Sequence, residues 1–264
     1  MKTRLNKLQA LLKVLIYFSV LCMATFIAGI VPVINDFIFF FLVSLIISWY
    51  LLRTEGTSLL SLGFFPTKRQ DGYDFYLGLG IGILMLICTT IITLYLTQDK
   101  WTFNQHIDPI YLIVTFLMCL WSAFVQEFVF RGYPFQTLLK NFTPWLAQLF
   151  IVIPFGLMHL DHTMSVTDAG KVMLTTGLGS ILFGLTYIKT KRLVMPVGIH
   201  LGWNYAQELI PRTAGGNHSS LLKVTTNHEQ YSGFMILMPF LLIVSVTIIL
   251  IASCKKSLVL PSRS

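Results

Sequence analysis

Eight apolar runs, most of them close to twenty residues long, leave this chain few ways to fold. They lie at roughly 11–31, 33–52, 75–97, 110–130, 144–160, 171–189, 193–210 and 233–253. About 20 consecutive apolar residues make a helix long enough to cross a bilayer. The chain is 55% hydrophobic and 11% charged, with a mean hydropathy of +0.74. A soluble domain would carry roughly 25% charged residues. The sequence therefore predicts an all-α, polytopic membrane helical bundle of about eight transmembrane helices. No internal repeat or Pro/Ser-rich linker divides it, so residues 1–264 read as one integral-membrane domain.

The placement of Lys and Arg orients the bundle. With the N-terminus inside, the inner segments hold 15 of the 19 basic residues, and the outer segments hold only Lys100, Lys171, Arg212 and Lys223. Such a bias marks the cytoplasmic side, so both termini are expected there. The formal charge of +8 is then an orientation signal, and no nucleic-acid partner is implied. The first apolar run is too long for a signal-peptide core and lacks a closing A-x-A site, so it reads as the first span. The C-terminal "LVLPSRS" carries no prenylation box. Cys22, Cys88, Cys119 and Cys254 lie in or beside spans without CxxC spacing and read as packing thiols.

Outside the spans, the segment 211–232 is polar and is expected to be a mobile outer loop. Its His218 and His228 read as solvent-exposed side chains. Asn217-His218-Ser219 would accept a glycan only in a eukaryotic secretory setting. Small residues pair at i, i+4 in Gly78/Gly82, Ser180/Gly184 and Gly198/Gly202, a spacing that lets helices approach closely.

Ionisable residues inside spans are costly and by default mark function. Here they are Glu127 and Arg131 in "QEFVFR", His159 in "FGLMHLDH", and His200 with Asn204 in "GIHLGWN". Glu208 follows near the outer end of the last of these helices. Glu127 and Arg131, like His200 and Asn204, stand four apart and share a helical face. A lone Glu–Arg pair or a lone intramembrane His is often only glue between helices. Three consecutive helices that each carry a polar face point instead to a converging site. A carboxylate and an imidazole could activate water, while a second imidazole and an amide could stabilise an oxyanion. Together they describe an amide hydrolase acting on a membrane-borne peptide. Glu127, His159 and His200 could also ligate Zn²⁺ as a His₂Glu set with an open fourth position, although their spacing is not HExxH.

These motifs resemble the CPBP intramembrane proteases, which include the type II CAAX prenyl proteases and bacterial bacteriocin-processing or immunity proteins. The family pattern runs EExxxR, FxxxH and HxxxN on separate helices of an eight-helix bundle. This chain has "QEFVFR" at 126–131, "FGLMH" at 155–159 and "HLGWN" at 200–204, and "RGYPFQTLL" continues the first motif as in the family. The likeness covers roughly 110–210. It implies that the first acidic position and His159 handle the attacking water. His200 and Asn204 then form the oxyanion pocket, and Glu127 and Arg131 support the site.

One position departs from the pattern. The first acid is Gln126, and an amide cannot take a proton from water as a carboxylate does. Gln126 is then an inactivating substitution, introduced or natural. The alternative is that Glu127 takes over as base, although neighbouring helical residues point about 100° apart. The site also makes a geometric demand. The fourth helix must continue past Arg131 towards Lys140 despite Pro134, and the fifth must run past His159, or Glu127 and His159 cannot share a water.

The sequence thus predicts an intramembrane endopeptidase with a cavity open to the cytoplasm, acting on a membrane-associated peptide or protein. Compact size and short loops suggest a bacterial cell membrane. The alternative is a catalytically silent scaffold or immunity factor on the same fold. A transporter would show paired half-sites and repeat symmetry, which the sequence lacks.

Overall fold

The computed structural model describes residues 5–31, 36–214, 219–226 and 231–254. Helices stand at all eight expected spans. They are α1 (Lys7–Ile30), α2 (Asp36–Thr54), α3 (Arg69–Thr97), α4 (Pro109–Arg131) with its continuation α5 (Tyr133–Asn141), α6 (Pro144–Leu157), α7 (Val166–Thr190), α8 (Val194–Leu209) and α9 (Gly233–Ser253). Local chemistry sets several starts. The Asn6 side chain accepts from Gln9 N, Asp108 from Ile110 N and Ser165 from Asp168 N, each supplying an acceptor that the first helical turn lacks.

Large apolar side chains cover the outside. Phe26, Leu84, Ile110 and Ile249 are between 60% and 71% exposed, an arrangement that water would penalise and lipid does not. Six helices, counting 109–141 as one, are long and apolar enough to cross a membrane by length and composition. The chain is an integral membrane protein. Helices α6 and α8 are shorter, with 14 and 16 residues, or about 21 and 24 Å at 1.5 Å per residue. For α8 the shortfall has a reason. Its residues Val194–Gly202 are all buried among α3, α4 and α7, so protein rather than lipid surrounds it.

The closest helix pair is α3 with α8, and glycines make it so. A Cβ on Gly78 or Gly82 would collide with the carbonyls of Met195 and Ile199, and one on Gly198 or Gly202 with those of Phe75 and Leu79. The two small-residue pairs therefore face each other, backbone against backbone, as their spacing predicts. The third pair serves differently. Ser180 bonds to Arg131, and Gly184 leaves room for the Gln148 side chain.

Polar contacts sort the helix ends into two layers. At one end, Lys13 Nζ lies 3.0 Å from Glu55 Oε1, Tyr133 Oη donates to the same carboxylate at 2.7 Å, and Arg192 Nη2 lies 2.8 Å from Asp71 Oδ2. Lys189 Nζ donates there to the Ala252 and Cys254 carbonyls. At the other end, strands β1 (Lys100–Phe103) and β2 (Leu222–Thr225) form an antiparallel ribbon, and Trp101 Nε1 donates to the Pro211 carbonyl. The ribbon corrects the reading of 211–232 as a mobile loop. Part of that segment is held by backbone pairing to a strand about 120 positions earlier. His218, His228 and Asn217 lie outside the described residues, as does all of the "LVLPSRS" end. The four cysteines are free.

Candidate active site

Helix α4 enters through lipid and ends in protein. Ile110, Ile113, Val114, Leu117 and Met118 are exposed, whereas Val125 through Arg131 are all buried. The helix breaks at Gly132 and restarts as α5, with Pro134 in the first turn, where a missing N–H leaves no bond unmade. The chain thus continues inward past Arg131, as the site requires. Arg131 is fully buried, so it is not one of the basic residues at the inner surface.

Glu127 and Arg131 use their i, i+4 relation directly. Arg131 Nη1 lies 3.4 Å from Glu127 Oε1, while Nη2 donates to the Ser180 carbonyl at 2.9 Å and to Ser180 Oγ at 2.7 Å. The guanidinium lies over the Phe155 ring at 4.5 Å and near Phe183 at 5.3 Å, faces that favour a cation. Glu127 has a second partner that the sequence did not suggest. His200 Nδ1 lies 3.0 Å from the same Oε1. A carboxylate only accepts, so Nδ1 carries the proton and Nε2 is the ring nitrogen left for other chemistry. The His200 ring stacks on Phe183 at 4.7 Å, and the glycine contacts at 198 and 202 fix its helix against α3.

His159 comes from a turn rather than a helix. The expectation that the fifth helix runs past His159 is corrected, because α6 stops at Leu157. Its last turns tighten, with His159 N donating to Gly156 O and Leu160 N to Leu157 O, as three-residue hydrogen bonds do at helix ends. Pro154, inside α6, has already removed one ladder bond. His159 Nδ1 is 2.7 Å from the Phe155 carbonyl. A carbonyl also only accepts, so the neutral ring carries its lone pair at Nε2. Depth does not separate His159 from Glu127. Both lie about 20 Å along helix from the α5–α6 turn, and Phe155 bridges them, 4.8 Å from the His159 ring and under Arg131.

His159, His200 and Asn204 line one cavity of about 580 Å³ between α7, α8 and α9. Among the described residues the Asn204 amide has no hydrogen-bond partner. The cavity reaches the surface at Lys171 and Arg212. Lys171 and Lys189 are 18 residues apart on α7, or about 27 Å, so the mouth is at the end opposite Lys189 and Arg192. A second cavity of about 820 Å³ runs between α2, α4 and α8 and is lined by Ser122, Glu208, and also by Asn204 and Gln207. Gln126 lies beside it. Its Nε2 donates to Ser122 Oγ at 3.0 Å, and no described contact joins it to His159. Glu208 sits at the mouth end, where it accepts from Tyr111 Oη at 3.4 Å. Ser122 and Ser180 escaped sequence reading as site residues, since serines within spans carry no signal of their own.

Three buried polar atoms here, Gln126 Oε1, Glu127 Oε2 and Arg131 Nε, have no partner among the described residues. The residues do not fit zinc. Among the described residues no group of three His, Cys, Asp or Glu is placed to hold a metal ion. Glu127, His159 and His200 do not form such a group.

Fold and site together define an integral membrane bundle with a buried, ionisable centre. Residues 108–206, which contain all six candidate site residues, match the family described as type II CAAX prenyl endopeptidase Rce1-like. Over that segment the chain is similar to this family, in keeping with the CPBP group that its motifs resemble. It is also similar to UPF0177 protein YvdC of Lactococcus lactis subsp. lactis (strain IL1403), with 28% identity over 180 residues. That similarity covers 64% of this chain and 64% of the relative, so the chain spans just under two thirds of the relative's length.

Proposed function

We propose that this bundle is built to hydrolyse a peptide bond in a membrane-associated peptide or protein, and that Gln126 withholds the carboxylate base from the site as it stands. The observation that carries this reading is the enclosure of His159, His200 and Asn204 around one cavity, with Glu127 and Arg131 buried directly behind His200. The substrate carbonyl lies between the His200 ring and the Asn204 amide. Both donate to the oxyanion as it forms, and Glu127 offsets the charge of a doubly protonated His200. His159 Nε2 accepts a hydrogen bond from the attacking water and orients it. In the family pattern the acid at the position of Gln126 takes that water's proton and returns it to the leaving amine, which an amide cannot do. Gln126 does not line this cavity, so the step needs the side chain at 126 to turn from Ser122.

Orientation follows from the basic residues. The Lys/Arg-rich end faces the cytoplasm, so eight spans put both termini there, in a membrane that the Lactococcus relative suggests is bacterial. The cavity then opens to the outer side, opposite to the cytoplasmic opening expected from sequence. A substrate would reach it from the outer leaflet or the extracytoplasmic space.

Cleavage of a membrane-peptide library, read by mass spectrometry, tests the reading on the reconstituted chain and on Gln126→Glu. A carboxylate at 126 fits locally, because Ser122 Oγ can donate to it as readily as it accepts from the amide. Activity that appears with Gln126→Glu and vanishes on adding His159→Ala is the expected result. Gln126 itself favours a second reading, a silent scaffold or immunity factor. That reading is established if Gln126→Glu also cleaves nothing while an authentic family protease digests the same library.

A further inference from the structure

The cavity that holds the two imidazoles is electrically one-sided. Among the described residues, two that line it, Lys171 and Arg212, are cations, and none is a carboxylate. Lys171 is already engaged, with its Nζ 2.8 Å from Asp168 Oδ1. Arg212 has no hydrogen bond or ion pair among the described residues. It is partly buried, and its guanidinium lies over the Trp203 ring at 5.9 Å. Trp203 in turn packs edge-on against Phe240 at 5.3 Å, which fixes the platform. A cation held by an aromatic face rather than a counter-ion keeps its donors free, and in an apolar wall it is worth more than in water.

Trp203 is one residue before Asn204 and three after His200 on the same helix. The guanidinium therefore lines the cavity at its mouth, on the same wall as His200 and Asn204. From this we infer that Arg212 is the anchor for a carboxylate on the substrate, and that the site selects apolar peptide segments bearing one negative charge beyond the scissile bond. The inference rests on the peptidase reading, and it adds a residue that none of the three motifs contains. The carboxylate can be an acidic side chain or a free C-terminus, since a planar guanidinium bonds either in the same forked geometry.

The test is binding to the full chain in phosphatidylcholine nanodiscs, read by fluorescence anisotropy. The probe is a labelled apolar dodecapeptide in three forms, with a free C-terminus, with a C-terminal amide, and with the amide plus one internal Asp. The charged forms are expected to bind about ten- to a hundred-fold more tightly than the neutral amide. Arg212→Gln should abolish that preference, Arg212→Lys should restore part of it, and Lys171→Gln should leave it intact. Equal binding of all three forms overturns the anchor, as does a preference that survives Arg212→Gln or is lost with Lys171→Gln. Loss of the preference in phosphatidylglycerol nanodiscs also overturns it and assigns the guanidinium to lipid phosphate. Cleavage by Gln126→Glu is scored on the same peptides. Charge-blind cleavage leaves the peptidase and removes the anchor, charge-dependent binding with no cleavage does the reverse, and no binding of any form removes both.

Discussion

Replacing Arg131 with Met should be among the most damaging single changes in the bundle. The aliphatic stem survives, but Glu127, fully buried, loses its cation. Two charged hydrogen bonds to Ser180, at 2.9 and 2.7 Å, and the stacking on Phe155 go with it. Removing one partner of a buried ion pair costs about 3–5 kcal/mol, or a hundred-fold or more in the folding equilibrium. Unfolding by sodium dodecyl sulfate in mixed micelles, followed by circular dichroism, measures it. The double change Glu127→Gln/Arg131→Met removes the stranded charge as well, so it should recover roughly 2 kcal/mol relative to Arg131→Met alone, a coupling that a double-mutant cycle isolates. A cost below about 1 kcal/mol for Arg131→Met, or simple additivity of the two changes, would refute the buried pair.

Further outcomes follow from the same contacts. Gly202→Val pushes a side chain into the Leu79 carbonyl and should destabilise the protein by about 3 kcal/mol. Gly80→Ala, with nothing near its Cβ, should instead gain up to about 1 kcal/mol from helix propensity; thermal unfolding distinguishes the two. In a cysteine-free background, Lys171→Cys should react with an impermeant maleimide on intact cells and Lys191→Cys should not, and the reverse pattern would invert the membrane orientation. In a Gln126→Glu background, Asn204→Ala should lower turnover about 10²–10³-fold without changing the unfolding temperature, because the amide has no partner among the described residues.

Much of the fold was readable because lipid simplifies the code. Each apolar run became a helix, and the glycines at 78, 82, 198 and 202 announced a close helix pair. The polar residues at 126–131, 159 and 200–204 were conspicuous against their apolar surroundings, and the i, i+4 spacing identified Arg131 as the partner of Glu127. What escaped was tertiary. Nothing local says that Glu127 also holds His200, 73 positions away. Four-residue strands at 100–103 and 222–225 are too short for a periodicity signal. The end of α6 at Leu157 depends on Pro154 and on carbonyls that its own last turn must satisfy. The direction in which the cavity opens depends on how α7, α8 and α9 diverge, which no single helix encodes.

The proposed function rests on a hydrolytic site silenced at residue 126. The most direct measurement compares peptide cleavage by the reconstituted chain, by Gln126→Glu and by Gln126→Glu/His159→Ala. Cleavage by Gln126→Glu alone is expected. Cleavage by the unaltered chain at a rate that Gln126→Glu does not raise would contradict it, as would activity that survives the loss of His159.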